Sequence, residues 1–170
     1  MATGAAAQKV TYATTDKAVL EAIDRAFEEA LPRVRAGLGE SWPMYINGEA
    51  RAAEAGREFE DRSPIDTAIV LGRFPRGTKE DASDAVAAAL AAYPGWSRTP
   101  YRERIAILRR AANNFRDRKY DLSALLTIEA GKIVSEGLGE VQEMIDICDY
   151  AVGLSRQLYG LTIASERPEH

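Results

Sequence analysis

The sequence predicts a mainly helical α+β domain with a small antiparallel β region near its N-terminal end. Apolar residues recur at three- and four-residue spacing over most of the stretch from Thr78 to Gly160, the period of amphipathic helices. Asn47-Gly48 separates two short runs and marks a hairpin, because both residues tolerate positive φ. With 170 residues, 46% of them apolar, the chain is long enough to close one domain over a sizeable core.

Residues 1–13 read as a loose leader. Thr14-Thr15-Asp16 starts a helix whose apolar positions are Val19, Leu20, Ile23, Phe27, Leu31 and Val34. Pro32 is expected to kink or shorten it, and Gly37 and Gly39 to end it. Met44-Tyr45-Ile46 and Glu49-Ala50-Arg51 form the hairpin arms. Glu58 to Arg62 and Ala68 to Phe74 are further strands around a Ser63-Pro64-Ile65-Asp66 turn, giving one small antiparallel sheet.

Thr78 with Asp81 forms a capping box ahead of Ala82, Val86, Leu90 and Tyr93, and Pro94-Gly95 is expected to break that helix. Pro100 begins the next helix, with Ile105, Leu108, Ala112 and Phe115 buried and Arg102, Arg104, Arg109 and Arg110 mostly outside. Asp121 to Ala130 carries Leu122, Leu125 and Leu126 on one face, and Gly131 caps it. Ser135 caps a long helix that runs to Gly160, after which Leu161-Thr162-Ile163-Ala164 begins a strand.

The long helix concentrates the chemistry. Glu136, Glu140 and Glu143 share one face, while Val141, Met144, Ile145, Cys148 and Val152 form an apolar stripe on another. Beyond them Ile147, Ala151, Leu154 and Leu158 continue the carboxylate side as an apolar one, which predicts cover on both sides. Glu143 then stands where solvated and buried faces meet. Cys148 lies mid-helix near Asp146 and Asp149, whose charges oppose thiolate formation, so it reads as a core residue.

Composition narrows the function. The formal net charge is -4 with cations dispersed among acids, which points away from nucleic acid and from anionic membranes. No apolar run approaches the length of a bilayer span, and Met1 to Gln8 lacks the pattern of a secretory signal. A single cysteine fits a reducing cytoplasm. The one histidine is His170, so histidine-based catalysis and histidine-containing metal clusters have no residues to use here. The acidic residues lack the alternation of a calcium loop, and Gly137-Leu138-Gly139 lacks the strand and third glycine of a dinucleotide fingerprint. The residues by themselves define an α+β domain without a self-sufficient active site. A carboxylate stripe of this kind is a solvated face by default, with ammonium capture by one glutamate as the sharper alternative.

The run Thr127-Ile128-Glu129-Ala130-Gly131-Lys132, continuing through Gly139-Glu140-Val141-Gln142-Glu143, resembles the N-terminal part of an aldehyde dehydrogenase. Tyr45-Ile46-Asn47-Gly48, Ser63-Pro64, the Ala-rich helix before Trp96, Arg102-x-Arg104 and Leu108-Arg109-Arg110-Ala111-Ala112 follow the same order. Asp146 to Arg156 and Ser165-Glu166-Arg167-Pro168 look most like the antiquitin branch, whose members oxidise α-aminoadipic semialdehyde. The leading helix is similar to that of 1-pyrroline-5-carboxylate dehydrogenases, which oxidise glutamate semialdehyde.

The resemblance implies an α/β fold of which this chain is a mainly helical part. Residues 1–15 would be a flexible leader, 16–39 an N-terminal helix, 40–160 the N-terminal part of a cofactor-binding domain, and 161–170 the start of an oligomerisation strand. It implies Glu143 as the receiver of the substrate amino group, NAD or NADP as cofactor of a complete enzyme, and a cytoplasmic homo-oligomer. The family's nucleophilic cysteine, general base and main cofactor contacts have no match among these residues. The chain alone is therefore expected to be inactive and to bind no nucleotide, with no catalytic, cofactor-binding or metal-binding residue of its own. Two competing expectations are a non-enzymatic helical module that self-associates and a carboxylate metal protein.

Overall fold

The computed structural model describes residues 16–160 apart from Ala55. The leader and the strand expected from Leu161 lie outside these residues. Five helices and four short strands follow in order: α1 Lys17–Ala36, β1 Met44–Ile46, β2 Glu49–Arg51, β3 Glu58–Arg62, β4 Val70–Pro75, α2 Lys79–Arg98, α3 Tyr101–Asp117, α4 Lys119–Ala130 and α5 Val134–Gly160.

Local chemistry sets most boundaries. Asp16 accepts hydrogen bonds from the backbone N–H groups of Ala18 and Val19, satisfying two of the orphan donors at the start of α1. Thr78 and Asp81 form the reciprocal capping box of α2. Asn47 and Gly48 hold φ of 55° and 77° in the β1–β2 turn, and Gly131 ends α4 in the left-handed conformation at φ 71°.

Several expectations from spacing are corrected. α1 runs through Pro32, so the proline does not shorten it. α2 likewise continues past Pro94-Gly95 to Arg98. Proline removes only one backbone donor there, and the last turn is stabilised by side chains: Ser97 Oγ donates to the Pro94 carbonyl and Thr99 Oγ1 to that of Gly95. Pro100 precedes α3 as its N-cap rather than occupying its first turn. Ser135 does not cap α5, because the Gly137 N–H already bonds to the carbonyl of Ile133 and the helix starts at Val134. The strands make two separate two-stranded ribbons, β1–β2 and β3–β4, both antiparallel.

The core lies between helices. Ile23, Phe27 and Ala30 of α1 pack against Ala124 of α4 and Leu138 of α5, with half-buried Tyr120 and Val134 filling the junction. Ile105 and Ala112 of α3 are buried, as are Val141, Ile145 and Val152 of α5. On α4 the buried face is Lys119, Ser123, Ala124 and Ile128 rather than the expected leucine face. Ser123 is buried where Gly137 of α5 crosses closely and Ala124 against Phe27 and Ala30 of α1, while Leu122 and Leu125 line a cleft.

The β3–β4 ribbon is anchored to this bundle. Ser63, fully buried, donates from Oγ to the carbonyl of Ile128 at 2.6 Å, satisfying one of the orphan acceptors at the end of α4. On its other edge, Trp42 N–H donates to the Arg73 carbonyl and Arg73 N–H to that of Glu40, so residues 39–42 run alongside β4. α2 has no buried residue at all. Its tie to the β1–β2 hairpin is ionic, with Arg51 reaching Asp84 at 2.8 Å and Asp81 at 3.5 Å.

Candidate functional site

α5 is positioned by a polar network that the spacing did not reveal. Lys119, the first residue of α4, is only 3% exposed, and its ammonium lies 3.5 Å from Gln142 Oε1. Gln142 in turn donates from Nε2 to Asp146 Oδ1 at 2.9 Å. Burial lowers the Lys119 pKa from its usual value, and the Asp146 carboxylate partly offsets that. In sequence Lys119 closes the run Arg116-Asp117-Arg118-Lys119, which looks like a solvated charge cluster. Only the approach of α5 buries it.

This network holds Gln142 and Asp146 on one side of α5 and leaves Glu143 on another. Glu143 is exposed and makes no ion pair among the described residues. Among the described residues only Glu140 of the three stripe glutamates has an ion pair, and Glu136 and Glu143 are both exposed without one. Glu140 pairs with Lys132 across the start of α5, and Glu136 is exposed in the first turn. Glu143 keeps an unneutralised carboxylate on a helix fixed from behind, the arrangement that lets a carboxylate accept a charge-assisted bond from an incoming ammonium. It lines none of the clefts around the β ribbons or α2.

Cys148 is half-buried beside Asp149, whose carboxylate pairs with Arg116 of α3. Of the expected apolar stripe, Val141, Ile145 and Val152 are buried, Cys148 is half-buried, and Met144 is exposed. The cover expected on the opposite side is not provided by the described residues: Ile147 is 58% and Leu158 77% exposed, and Tyr150 and Leu154 are exposed too. Val86, Leu90 and Tyr93 of α2 are equally uncovered. A helix that presents apolar residues on two faces needs neighbours on both, and the described part of the chain supplies one.

No group of three or more acidic, cysteine or histidine side chains is placed to hold a metal ion among the described residues. Both β ribbons are antiparallel pairs, and the turn from β4 into α2 carries the single glycine Gly77 rather than the repeated glycines of a dinucleotide fingerprint. No described helix is long and apolar enough to cross a membrane.

Among the described residues the arrangement is a capped helical bundle with two small antiparallel ribbons, and apolar faces of α2 and α5 are left uncovered. The aldehyde dehydrogenase family matches residues 51–170, and the chain belongs to that family. It is 40% identical over 126 residues to aldehyde dehydrogenase family 7 member A1 of Pisum sativum, a match covering 74% of this chain and 24% of the relative. It is also 40% identical over 100 residues to an alpha-aminoadipic semialdehyde dehydrogenase of Mus musculus, covering 59% of this chain and 19% of that protein. Among solved structures, 1-pyrroline-5-carboxylate dehydrogenase from Thermus with bound NAD superposes with a TM-score of 0.77 at 30% identity, over 95% of this chain and 30% of that one. The chain thus spans about a quarter of the length of the relatives it matches.

Proposed function

We propose that this chain is the N-terminal segment of an NAD(P)-dependent aldehyde dehydrogenase that oxidises α-aminoadipic semialdehyde to the carboxylic acid, and that the segment is inactive alone. The observation that carries the reading is Glu143, an exposed carboxylate without an ion pair among the described residues, on a helix clamped through Gln142 and Asp146. In this reading the substrate ammonium donates to Glu143 while the aldehyde end extends toward catalytic groups supplied by the rest of the enzyme. The likeness to an enzyme named for alpha-aminoadipic semialdehyde supports that substrate. The single cysteine and the family suggest a cytoplasmic homo-oligomer.

A second reading has glutamate semialdehyde, one methylene shorter, as the substrate. The likeness to the Thermus 1-pyrroline-5-carboxylate dehydrogenase supports it.

The test is a kinetic comparison in a protein of the relatives' length that contains this segment. Glu143→Ala should raise KM for amino-bearing semialdehydes roughly tenfold, while simple aliphatic aldehydes are spared. Equal losses for both would make Glu143 structural. The preferred chain length of semialdehyde decides between the two substrates. The purified 170-residue chain should produce no NADH or NADPH from aminoadipic semialdehyde, and measurable reduction would sink the claim of inactivity.

A further inference from the structure

One cleft among the described residues lies away from α5. It has a volume of about 400 Å³ and lies between the end of α1, the β3–β4 ribbon and α4. Small-molecule sites commonly occupy roughly 300–1,000 Å³. Its lining includes apolar Leu71, Leu122 and Leu125 and charged Arg33, Asp61, Arg118, Asp121 and Glu129.

One wall is built around Gly72. A Cβ at that position would stand 3.0 Å from the Phe74 ring and 3.1 Å from the Trp42 ring, so the two rings converge directly above the glycine. Asp61 pairs with Gly72 across the ribbon, and residues directly opposite in an antiparallel pair project to the same face. Asp61 therefore enters the cleft beside both rings, and it has no ion pair among the described residues.

The Ser63–Ile128 hydrogen bond brings the end of β3 to the end of α4, so Asp61 shares its end of the cleft with Glu129 and the negative pole of α4. Arg118 precedes α4 and stands about 16 Å away along the helix axis from Glu129. Arg33, on the same side as Arg118, is already neutralised by Asp121, with Nε and Nη2 at 3.2 and 2.7 Å from Oδ1. Asp61 and Glu129 are thus the carboxylates of the cleft that have no ion pair among the described residues, whereas Asp121 is paired with Arg33.

We infer that this cleft binds a small organic ammonium ion with an aryl or alkyl body. The body lies against Trp42, Phe74 and Leu125, and the cationic head is held by Asp61 and Glu129 over the aromatic faces. Aromatic faces attract cations through their quadrupole, and a neighbouring carboxylate adds a charge-assisted hydrogen bond. The inference does not depend on Glu143 or on the substrate proposed above.

Titration calorimetry of the 170-residue chain with three probes tests it: phenethylammonium, neutral 2-phenylethanol and anionic 3-phenylpropanoate. The ammonium should bind about tenfold more tightly than the alcohol, and the carboxylate more weakly still. Asp61→Asn should remove most of the ammonium's advantage while leaving 2-phenylethanol unchanged, and Arg118→Gln should not weaken the ammonium. Equal binding of ammonium and alcohol, a preference for phenylpropanoate, no binding of any probe, or an ammonium affinity untouched by Asp61→Asn would overturn it. The three-probe comparison on the unmodified chain decides the matter even if a variant fails to fold.

Discussion

Gly137 of α5 lies so close to Ser123 of α4 that a Cβ on the glycine would stand 2.9 Å from Ser123 Oγ and 3.1 Å from its carbonyl oxygen. The two helices meet almost backbone to backbone, and Ser123 is fully buried with its Oγ unpartnered. Gly137→Ala must push the helices apart, at a cost of about 1–3 kcal/mol that a shift in the urea midpoint would read. Ser123→Gly should recover part of that loss in the double variant, because it removes one of the two clashing groups. Strict additivity of the two changes would show that the helices do not touch there.

Ser63→Ala should cost about 1–2 kcal/mol, since it strands a buried carbonyl of Ile128 at the end of α4. The same change loosens the attachment of the β3–β4 ribbon. Hydrogen exchange should therefore accelerate in β3 and β4 more than in α5. Uniform acceleration would mean that the ribbon and the bundle open as one unit.

The pH dependence of stability should show Lys119. Burial depresses its folded pKa, so between the folded and unfolded values the unfolded chain binds more protons than the folded one. Stability then rises with pH through that alkaline window, because deprotonation relieves a buried charge. Tyr120 opposes this at still higher pH: burial raises its pKa, so its phenol stays neutral in the fold while the unfolded chain ionises. Lys119→Met should flatten the rise, measured as the urea midpoint from pH 7 to about pH 10. A rise that persists in the variant would assign it to another group.

Arg51→Ala should release α2 without unfolding the bundle. The helix has no buried residue, and Arg51 supplies its ion pairs to Asp81 and Asp84. Amide protection along α2 should drop while that of α1, α4 and α5 is retained. Unchanged protection in α2 would show that its capping box and helix propensity suffice.

Local signals in the sequence reported on groups that sit near one another along the chain. The Asp16 cap, the Thr78–Asp81 box, the Asn47-Gly48 turn and the Gly131 stop were all legible, because each is a backbone requirement met within three residues. Pro94 and Ser135 misled because helix boundaries depend on which carbonyls find partners, and neighbouring side chains and a bond from Gly137 to Ile133 supplied them.

By itself the sequence determined the helices, the hairpin and the family, and it singled out Glu143 through resemblance. Tertiary structure alone decided which charges are buried, which glutamate of the α5 stripe is paired, and where the clefts lie. The same charged residue is solvated or buried according to which helix crosses it. Lys119 meets Gln142 and Asp146 because α5 passes beside it, Glu140 is paired because Lys132 reaches it, and the Trp42 and Phe74 rings converge because Gly72 leaves them room. Such encounters join residues far apart in the chain, and no periodicity records them.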